Sequence, residues 1–446
     1  MVSREWLTIV SSRSGRVWVA FAVFSAVFFG TNFSHLAEQE IYRSQLILAG
    51  NLLEGHGYVY SPSKPFATYP LWGYPYLLSL THNQVGLLGV QWLLTVSGAA
   101  LFYAAFSYRL RWWHLPLLLP YVAVMSVKWP DAPVVFLLLV AVVALTKALA
   151  SGELKWSALL GVTVGAIGQF RSEYLALVFC AAVTLVVFGH ATLRQRVCGA
   201  VLACLIQFAL LIPWVAAIHG EYGVLRATAT NGGAVLYISL GQVPGNPWGI
   251  THTDHEATEK VEAIAGRPVS PHSVEGDRLL RGAFTDSVGA RPGAFGWKVI
   301  HNLASALTGG LYVGEPYTLT VTGNREGEVQ RLKAQFGRIG VLQHLLPVER
   351  KLYGFYYGLL LGFRLFFFVL VCLAVITSYR RPTLDPAILA ILVLLVYKLA
   401  VVSLVQYQPR HMNAVYLPLL GLSGLLSVHS LAGIWSVLRS SSISHS

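Results

Sequence analysis

Apolar positions in this chain run in long blocks, separated by short polar connections. Val17–Gly30, Val134–Thr146, Val197–Ile218 and Ala414–Val428 contain no Asp, Glu, Lys or Arg. Blocks of this kind, extended to their flanking polar residues, predict membrane-spanning helices. Ten spans can be drawn, over 17–34, 85–106, 112–127, 132–149, 156–170, 174–189, 197–219, 352–377, 384–405 and 412–437. The predicted fold is therefore an all-α polytopic membrane protein. It divides into spans 1–7 within residues 1–218, a long connection over 219–350, and spans 8–10 within 351–446.

Orientation follows from the basic residues of the short connections. Twelve lie on one side, among them Arg4, Arg13, Arg16, Arg109, Arg111, Arg380 and Arg381. The other side holds five: Arg43, Lys64, Lys128, Arg171 and Arg410. The basic excess marks the cytoplasmic side, so both termini are expected there. The first span follows Arg4, Arg13 and Arg16 with no clear small-residue cleavage site before Glu38, which reads as a retained span. A bacterial inner or plasma membrane is the expected location.

Composition supports this picture. Of 446 residues, 55% are hydrophobic and 12% charged, about half the charged share of a soluble domain. The net charge of +12 would suggest nucleic acid in a soluble chain. Within His219–Arg350, however, basic and acidic residues balance at 12 each, leaving 20 against 8 elsewhere. The excess belongs to the membrane part and is an orientation signal, so no nucleic-acid partner is implied. The cysteines, Cys180, Cys198, Cys204 and Cys372, lie in apolar runs without a CxxC pair, which reads as core packing. No repeat of 20–50 residues is evident, so an inverted-repeat transporter gains no support.

Three spans are short. Trp156–Phe170 has 15 residues, about 22 Å of helix against a hydrocarbon core of about 30 Å. Tyr174–Gly189 and Leu115–Val127 are similar. Their outer tips should lie below the membrane surface, where charge needs a protein-lined cavity. Those tips read Lys128-Trp129-Pro130-Asp131 and Arg171-Ser172-Glu173. The long connection should also be outer. Its capping residues predict helices over His255–Ala265 after Asp254, Val274–Ser287 after Ser273, and Gly293–Leu307 after Pro292. The last carries Phe295, Val299, Ile300, Leu303 and Leu307 at helical spacing, as an interfacial helix would. Without a CxxC, HExxH or phosphate-binding Gly loop, the connection reads as a lid rather than an enzyme of its own.

The first outer loop carries candidate chemistry. Glu38 and Glu40 stand two residues apart just outside the first span and could supply a general base or hold a cation. Composition alone favours the plainer account, solvated acids at a helix exit. Asp131 could be a helix-start acid favoured by the dipole. Arg171 and Glu173 could neutralise each other, and Arg410-His411 could anchor an interface. Together these accounts require nearly every outer charge to be incidental. Charges at membrane depth are instead functional candidates. Lys398, within a span, could be functional, snorkelling or paired.

The order of motifs resembles a known family. Glu38…Tyr42 is followed by Leu52-Leu53-Glu54-Gly55-His56-Gly57-Tyr58, Trp72-Gly73-Tyr74-Pro75 and Pro130-Asp131. Then come Gly165–Tyr174 with Arg171, Pro213-Trp214, Asn231-Gly232-Gly233, Asp277–Pro292, and Gln408-Pro409-Arg410-His411. The series resembles the C-type (GT-C) membrane glycosyltransferases that use lipid-linked sugars. It looks close to the protein O-mannosyltransferase and aminoarabinose-transferase group, family 39-like, and their bacterial relatives. There are departures: Glu38 stands where the usual first-loop acid is Asp, Leu71-Trp72 replaces a double Pro, and His411 replaces a Tyr. The Arg-Asn common after Pro-Trp is missing.

The resemblance implies a sugar donor on a polyprenyl phosphate, inversion at the anomeric carbon, and a glycan, lipid or protein acceptor at the outer face of the bilayer. It implies Glu38 or Glu40 as base and Arg410, Arg171 and Lys128 as phosphate-holding cations. Asp131 and Glu173 would orient these cations or sugar hydroxyls, and His411 lies beside them. Tyr42, Tyr74 and Trp248 are candidates to stack on the sugar. No cofactor is expected, and the Glu-x-Glu pair does not support a metal. The competing class is a transporter or flippase of a lipid-linked or anionic solute. A third is a non-catalytic assembly subunit.

Overall fold

The computed structural model describes residues 13–32, 40–81, 84–105, 115, 118–126, 130–243, 245–309, 332, 335–336, 340–379, 386–407, 412 and 415–418. Within some helices, including 40–43, it describes the backbone alone. Among these residues there are helices and no strands. The first half contains α1 (Arg13–Asn32), α2 (Glu40–Leu53), α3 (Gly73–Thr81), α4 (Gln84–Ala105), α5 (Leu119–Met125), α6 (Asp131–Ser151), α7 (Leu154–Phe170), α8 (Leu177–Phe188) and α9 (Leu193–Tyr222). The second contains α10 (Gly232–Ser239), α11 (Asp254–Ala265), α12 (Val274–Ala290), α13 (Pro292–Gly309), α14 (Pro347–Tyr379) and α15 (Pro386–Leu404).

Among the described residues, four helices are long and apolar enough to cross a membrane: Val85–Ala105, Asp131–Ser151, Leu193–Tyr222 and Pro386–Leu404. They match four of the ten expected spans. The expected tenth span, 412–437, lies almost wholly outside the described residues. The 112–127 span is represented by the 7-residue α5. The short-span expectation has a counterpart in α7, which has 17 residues, about 26 Å at 1.5 Å each. Next come a tight turn, Ser172–Tyr174, and the 12-residue α8.

Local chemistry sets the helix ends. Thr192 and Gln195 form a capping box at the start of α9, and Gly223 ends it in the left-handed region at φ +69°, where glycine carries no Cβ penalty. α9 presents two faces. Val197, Val201, Leu205, Phe208 and Ile212 are exposed at spacings of three and four, the stripe expected against lipid. Gly199, Ala203, Gln207 and Leu211 are buried. Small residues set the approach of α7 to this second face. A Cβ on Gly161 would lie 2.5 Å from the Ala203 carbonyl oxygen, and one on Gly165 would lie 2.7 Å from Leu210 Cδ1. Such close backbone contact is how helices pack where apolar burial offers no net drive.

The main core joins α1, α4, α5, α6, α7, α8 and α15, with Leu138, Leu139, Val164, Ile167, Val178 and Ile391 at its centre. A second core forms within the 219–350 segment. It contains Tyr237, Ile238, Leu240, Ile250, Val261 and Leu280, from α10–α12 and their connections. The three predicted helices are present. Thr253, one residue before the expected Asp254, caps α11 by accepting from Glu256 N. Ser273 caps α12 as expected. α13 is two-faced. Lys298, Asn302 and Ala306 are buried where it packs on α15 and α14, while Trp297, Ile300 and Leu303 are exposed. Only part of the expected apolar stripe thus faces outward, because an inward polar pair uses the other side.

That polar pair joins the segment to the helix bundle. Lys298 Nζ donates to the carbonyl oxygens of Leu404 at 2.8 Å and Val405 at 2.6 Å, satisfying the carbonyl end of α15 where a cation is favoured. Asn302 Nδ2 donates to Gln242 Oε1 at 2.9 Å. Gln242 exchanges hydrogen bonds with the backbone of Tyr407. Gln406 meets His252 at 2.6 Å. The chain entering Gln408–His411 is therefore held by the 219–350 segment.

Candidate functional site

The first connection is folded around one tryptophan. Trp214 of α9 is fully buried, with the rings of Tyr58, Phe66 and Trp72 at 6.2, 5.6 and 5.6 Å. Tyr58 Oη donates to the Pro70 carbonyl at 2.9 Å. Asn51 Nδ2 donates to Val59 O at 2.6 Å, closing the Gly55-His56-Gly57 turn. Trp72 Nε1 donates to Gln169 Oε1, and Gln169 Nε2 donates to Leu210 O at 2.7 Å. Gln169 thus fixes the first connection against both α7 and α9. Thr68 and Thr230 pair through their hydroxyls at 2.7 Å, and Thr230 N donates to Thr68 O at 3.1 Å. This brings Tyr69-Pro70 beside Asn231-Gly232.

A second lock positions α10. Asp277 of α12 is fully buried. It accepts from Arg226 and from Arg281 Nε at 2.6 Å, and from Gly233 N at 2.6 Å. Gly233 is required there, since a Cβ would strike the Asp277 backbone.

These locks enclose a cavity of about 300 Å³. Gln45 of α2 and Tyr69, Pro70 and Leu71 form one wall. Pro130, Phe170, Arg171, Ser172 and Glu173 form the second, and Ala229, Asn231, Gly232, Val235 and Leu236 the third, with Val405 after α15 closing it. The volume is at the lower end of ligand pockets. Four parts of the chain, far apart in sequence, meet here.

The charges at the cavity pair differently from the expected Arg171–Glu173 turn. Arg171 donates to Asp131 Oδ2 at 2.7 Å, with side chains 21% and 16% exposed. Glu173 instead accepts from Lys398 at 2.5 Å; that lysine is 1% exposed. The Lys398 ammonium also sits 4.5 Å over the Tyr174 ring, and Tyr397 Oη donates to the Glu173 carbonyl at 2.5 Å. The chain turns tightly at Ser172–Tyr174, so the Arg171 and Glu173 side chains reach different helices, α6 and α15. Of the three options open for Lys398, the geometry selects pairing.

The other candidates divide. Glu38, Lys128, Arg410 and His411 lie outside the described residues. Glu40 begins α2 and Tyr42 follows one turn before Gln45, with side chains outside those described. Tyr74 is buried against Ala49, Leu78 and Leu87 and does not line the cavity. Trp248 donates to Ser287 O at 2.8 Å and packs on the second core. Tyr69 takes the aromatic place at the cavity, its ring stacked on His272 at 4.6 Å. Burial pushes the His272 imidazole below its ordinary range, against the opposing pull of Asp254 and Asp277. Gln45 and Tyr69 escaped sequence inspection because a Gln and a Tyr in a connection carry no spacing signal. No group of three or more potential metal ligands is found among the described residues.

Compared with protein-family models, curated proteins and solved structures, the chain matches none.

Proposed function

We propose that this chain is a membrane glycosyltransferase that moves a sugar from a polyprenyl phosphate to an acceptor at the outer membrane face. The observation that carries the proposal is the cavity, where the Asp131–Arg171 pair and Glu173 converge with the first connection and Asn231-Gly232. In a polar but partly dry site, fixed charges act without reorganising during reaction.

Glu38 or Glu40 takes the acceptor hydroxyl's proton as that oxygen attacks the anomeric carbon. The bond from that carbon to the phosphate oxygen breaks, and the lipid phosphate leaves with both electrons. A base of this kind contributes on the order of 10²–10⁴-fold. Arg410, Lys128 and Arg171 hold the departing phosphate, since guanidinium binds phosphate bidentately. Asp131 fixes the Arg171 guanidinium and thereby sets its approach. The 219–350 segment holds the chain leading into Arg410 in place through Lys298, Asn302 and Gln242.

A transporter would call for charged or broken helices reaching the cytoplasmic half; Lys398, a charge within a span, is paired with Glu173.

The test is transfer of label from polyprenyl-phosphate monosaccharides in membranes containing the full chain. Transfer should require Arg171 and Arg410 and at least one of Glu38 and Glu40. Full transfer by the Glu38→Gln/Glu40→Gln double variant would sink the base assignment. Movement of the labelled lipid without covalent transfer would favour the transporter class.

A further inference from the structure

Of the four charges in the two ion pairs at the cavity, only two line it. Arg171 and Glu173 belong to the wall, with side chains 21% and 25% exposed. Asp131 and Lys398 stand behind them, each paired with one. Arg171 and Glu173 thus give the wall one cation and one anion, two residues apart, each held from the rear by a counterion. The proposed reaction uses Arg171 and the Asp131 that fixes it, but gives Lys398 no part.

Lys398 stands where a charge is costly. It is 1% exposed within a helix long and apolar enough to cross a membrane. Among the described residues its one carboxylate partner is Glu173, at 2.5 Å. A buried ion pair adds little net stability over apolar residues of similar volume, so stability does not account for this one. Charges at membrane depth mark functional positions. What the pair supplies is order. The Lys398 ammonium, seated 4.5 Å over the Tyr174 ring, holds Glu173 Oε1. The Tyr397 hydroxyl holds the Glu173 carbonyl at 2.5 Å. Adjacent residues of α15 thus grip both the side chain and the backbone of an acid on the cavity wall.

An ionised carboxylate accepts hydrogen bonds and donates none. It repels a phosphate and suits a hydroxyl, whereas Arg171 suits the phosphate. Resting on the glycosyltransferase proposal, we infer that Lys398 is a positioning residue that aims the Glu173 carboxylate at a hydroxyl of the transferred sugar. Lys398 touches no substrate. It does for Glu173 what Asp131 does for Arg171. A site built to hydrogen-bond a substrate group discriminates strongly against ligands lacking it, provided that the accepting group is locked in place.

The experiment measures binding to the purified full chain in nanodiscs. The probes are decaprenyl phosphate and decaprenyl phosphate carrying glucose, mannose or arabinose. Wild type should bind at least one sugar-bearing lipid more tightly than the bare lipid phosphate. The Glu173→Gln/Lys398→Met double variant, which strands no charge, should lose on the order of 10-fold of that preference. Lys398→Met alone should fall between wild type and the double variant, with bare-lipid affinity unchanged in both. A lysine that served stability alone would lower the melting temperature and leave the preference as in wild type. Lys398→Gln serves if the Met variant does not fold. Full preference in Lys398→Met or Lys398→Gln overturns the role of Lys398, and full preference in the double variant overturns that of Glu173 as well. An equal loss of bare-lipid affinity, the mark of general distortion, also overturns the inference. A wild type that binds no sugar-bearing lipid more tightly than bare lipid phosphate overturns it together with the proposal beneath it.

Discussion

Removing the Glu173 carboxylate should destabilise this protein more than removing the lysine it neutralises. Lys398 is 1% exposed, whereas the Glu173 side chain is 25% exposed. Their 2.5 Å separation corresponds to about 7 kcal/mol of attraction at an effective dielectric near 20. Most of that is offset by desolvation of the two ions. Glu173→Gln keeps shape but strands an ammonium in the core, costing on the order of 3–5 kcal/mol. Lys398→Met removes the buried charge and leaves Glu173 partly solvated and near Arg171, costing about 1–2 kcal/mol. The double variant, with neither charge, should recover most of the loss. Thermal or denaturant unfolding of the four proteins in one detergent gives the double-mutant cycle. Equal losses from the two single changes, adding in the double, would refute the reasoning. That result would mean that the pair is solvated or is not formed.

Further expectations test other joints. Asp277→Asn leaves Arg226 and Arg281 without their shared carboxylate, and should cost on the order of 3–5 kcal/mol and raise protease sensitivity in the 219–350 segment; unchanged cleavage would count against the lock. Gly161→Val should push α7 from α9 and displace Arg171, cutting transfer and thermal stability together; a fully stable, active variant would contradict the close contact. Burial drives Lys298 down from 10.5 to about 7. Between these values the unfolded chain binds more protons at this site than the folded one, so its contribution to stability rises with pH across that window and is flat below it. Lys298→Met should flatten that rise in unfolding measured from pH 7 to 10, and an unaltered slope would exclude the assignment. His252, also depressed by burial, titrates below the window.

Much of the helical plan was legible in the chain because it depends on local rules. Long apolar runs give Asp131–Ser151, Leu193–Tyr222 and Pro386–Leu404 almost to their ends, since a helix is the form that satisfies its own backbone in an apolar medium. Ser273 and Pro292 announce α12 and α13 through the needs of orphan N–H groups. The short spans also foretold that Asp131, Arg171 and Glu173 would need shelter at their tips.

Pairing belongs to the tertiary structure. Arg171 and Glu173 are two residues apart, yet one reaches Asp131 and the other Lys398, because the Ser172–Tyr174 turn sends them toward different helices. No spacing rule encodes a partner more than 200 positions away. Nor does a sequence distinguish Tyr74, buried against apolar neighbours, from Tyr69, which lines the cavity. Nor does it mark Gln45, which the fold brings to the cavity wall. Hydropathy and capping are properties of a segment, so the sequence determines them. Which polar atoms remain unsatisfied depends on every surface that folds over them, and only the assembled helices decide it.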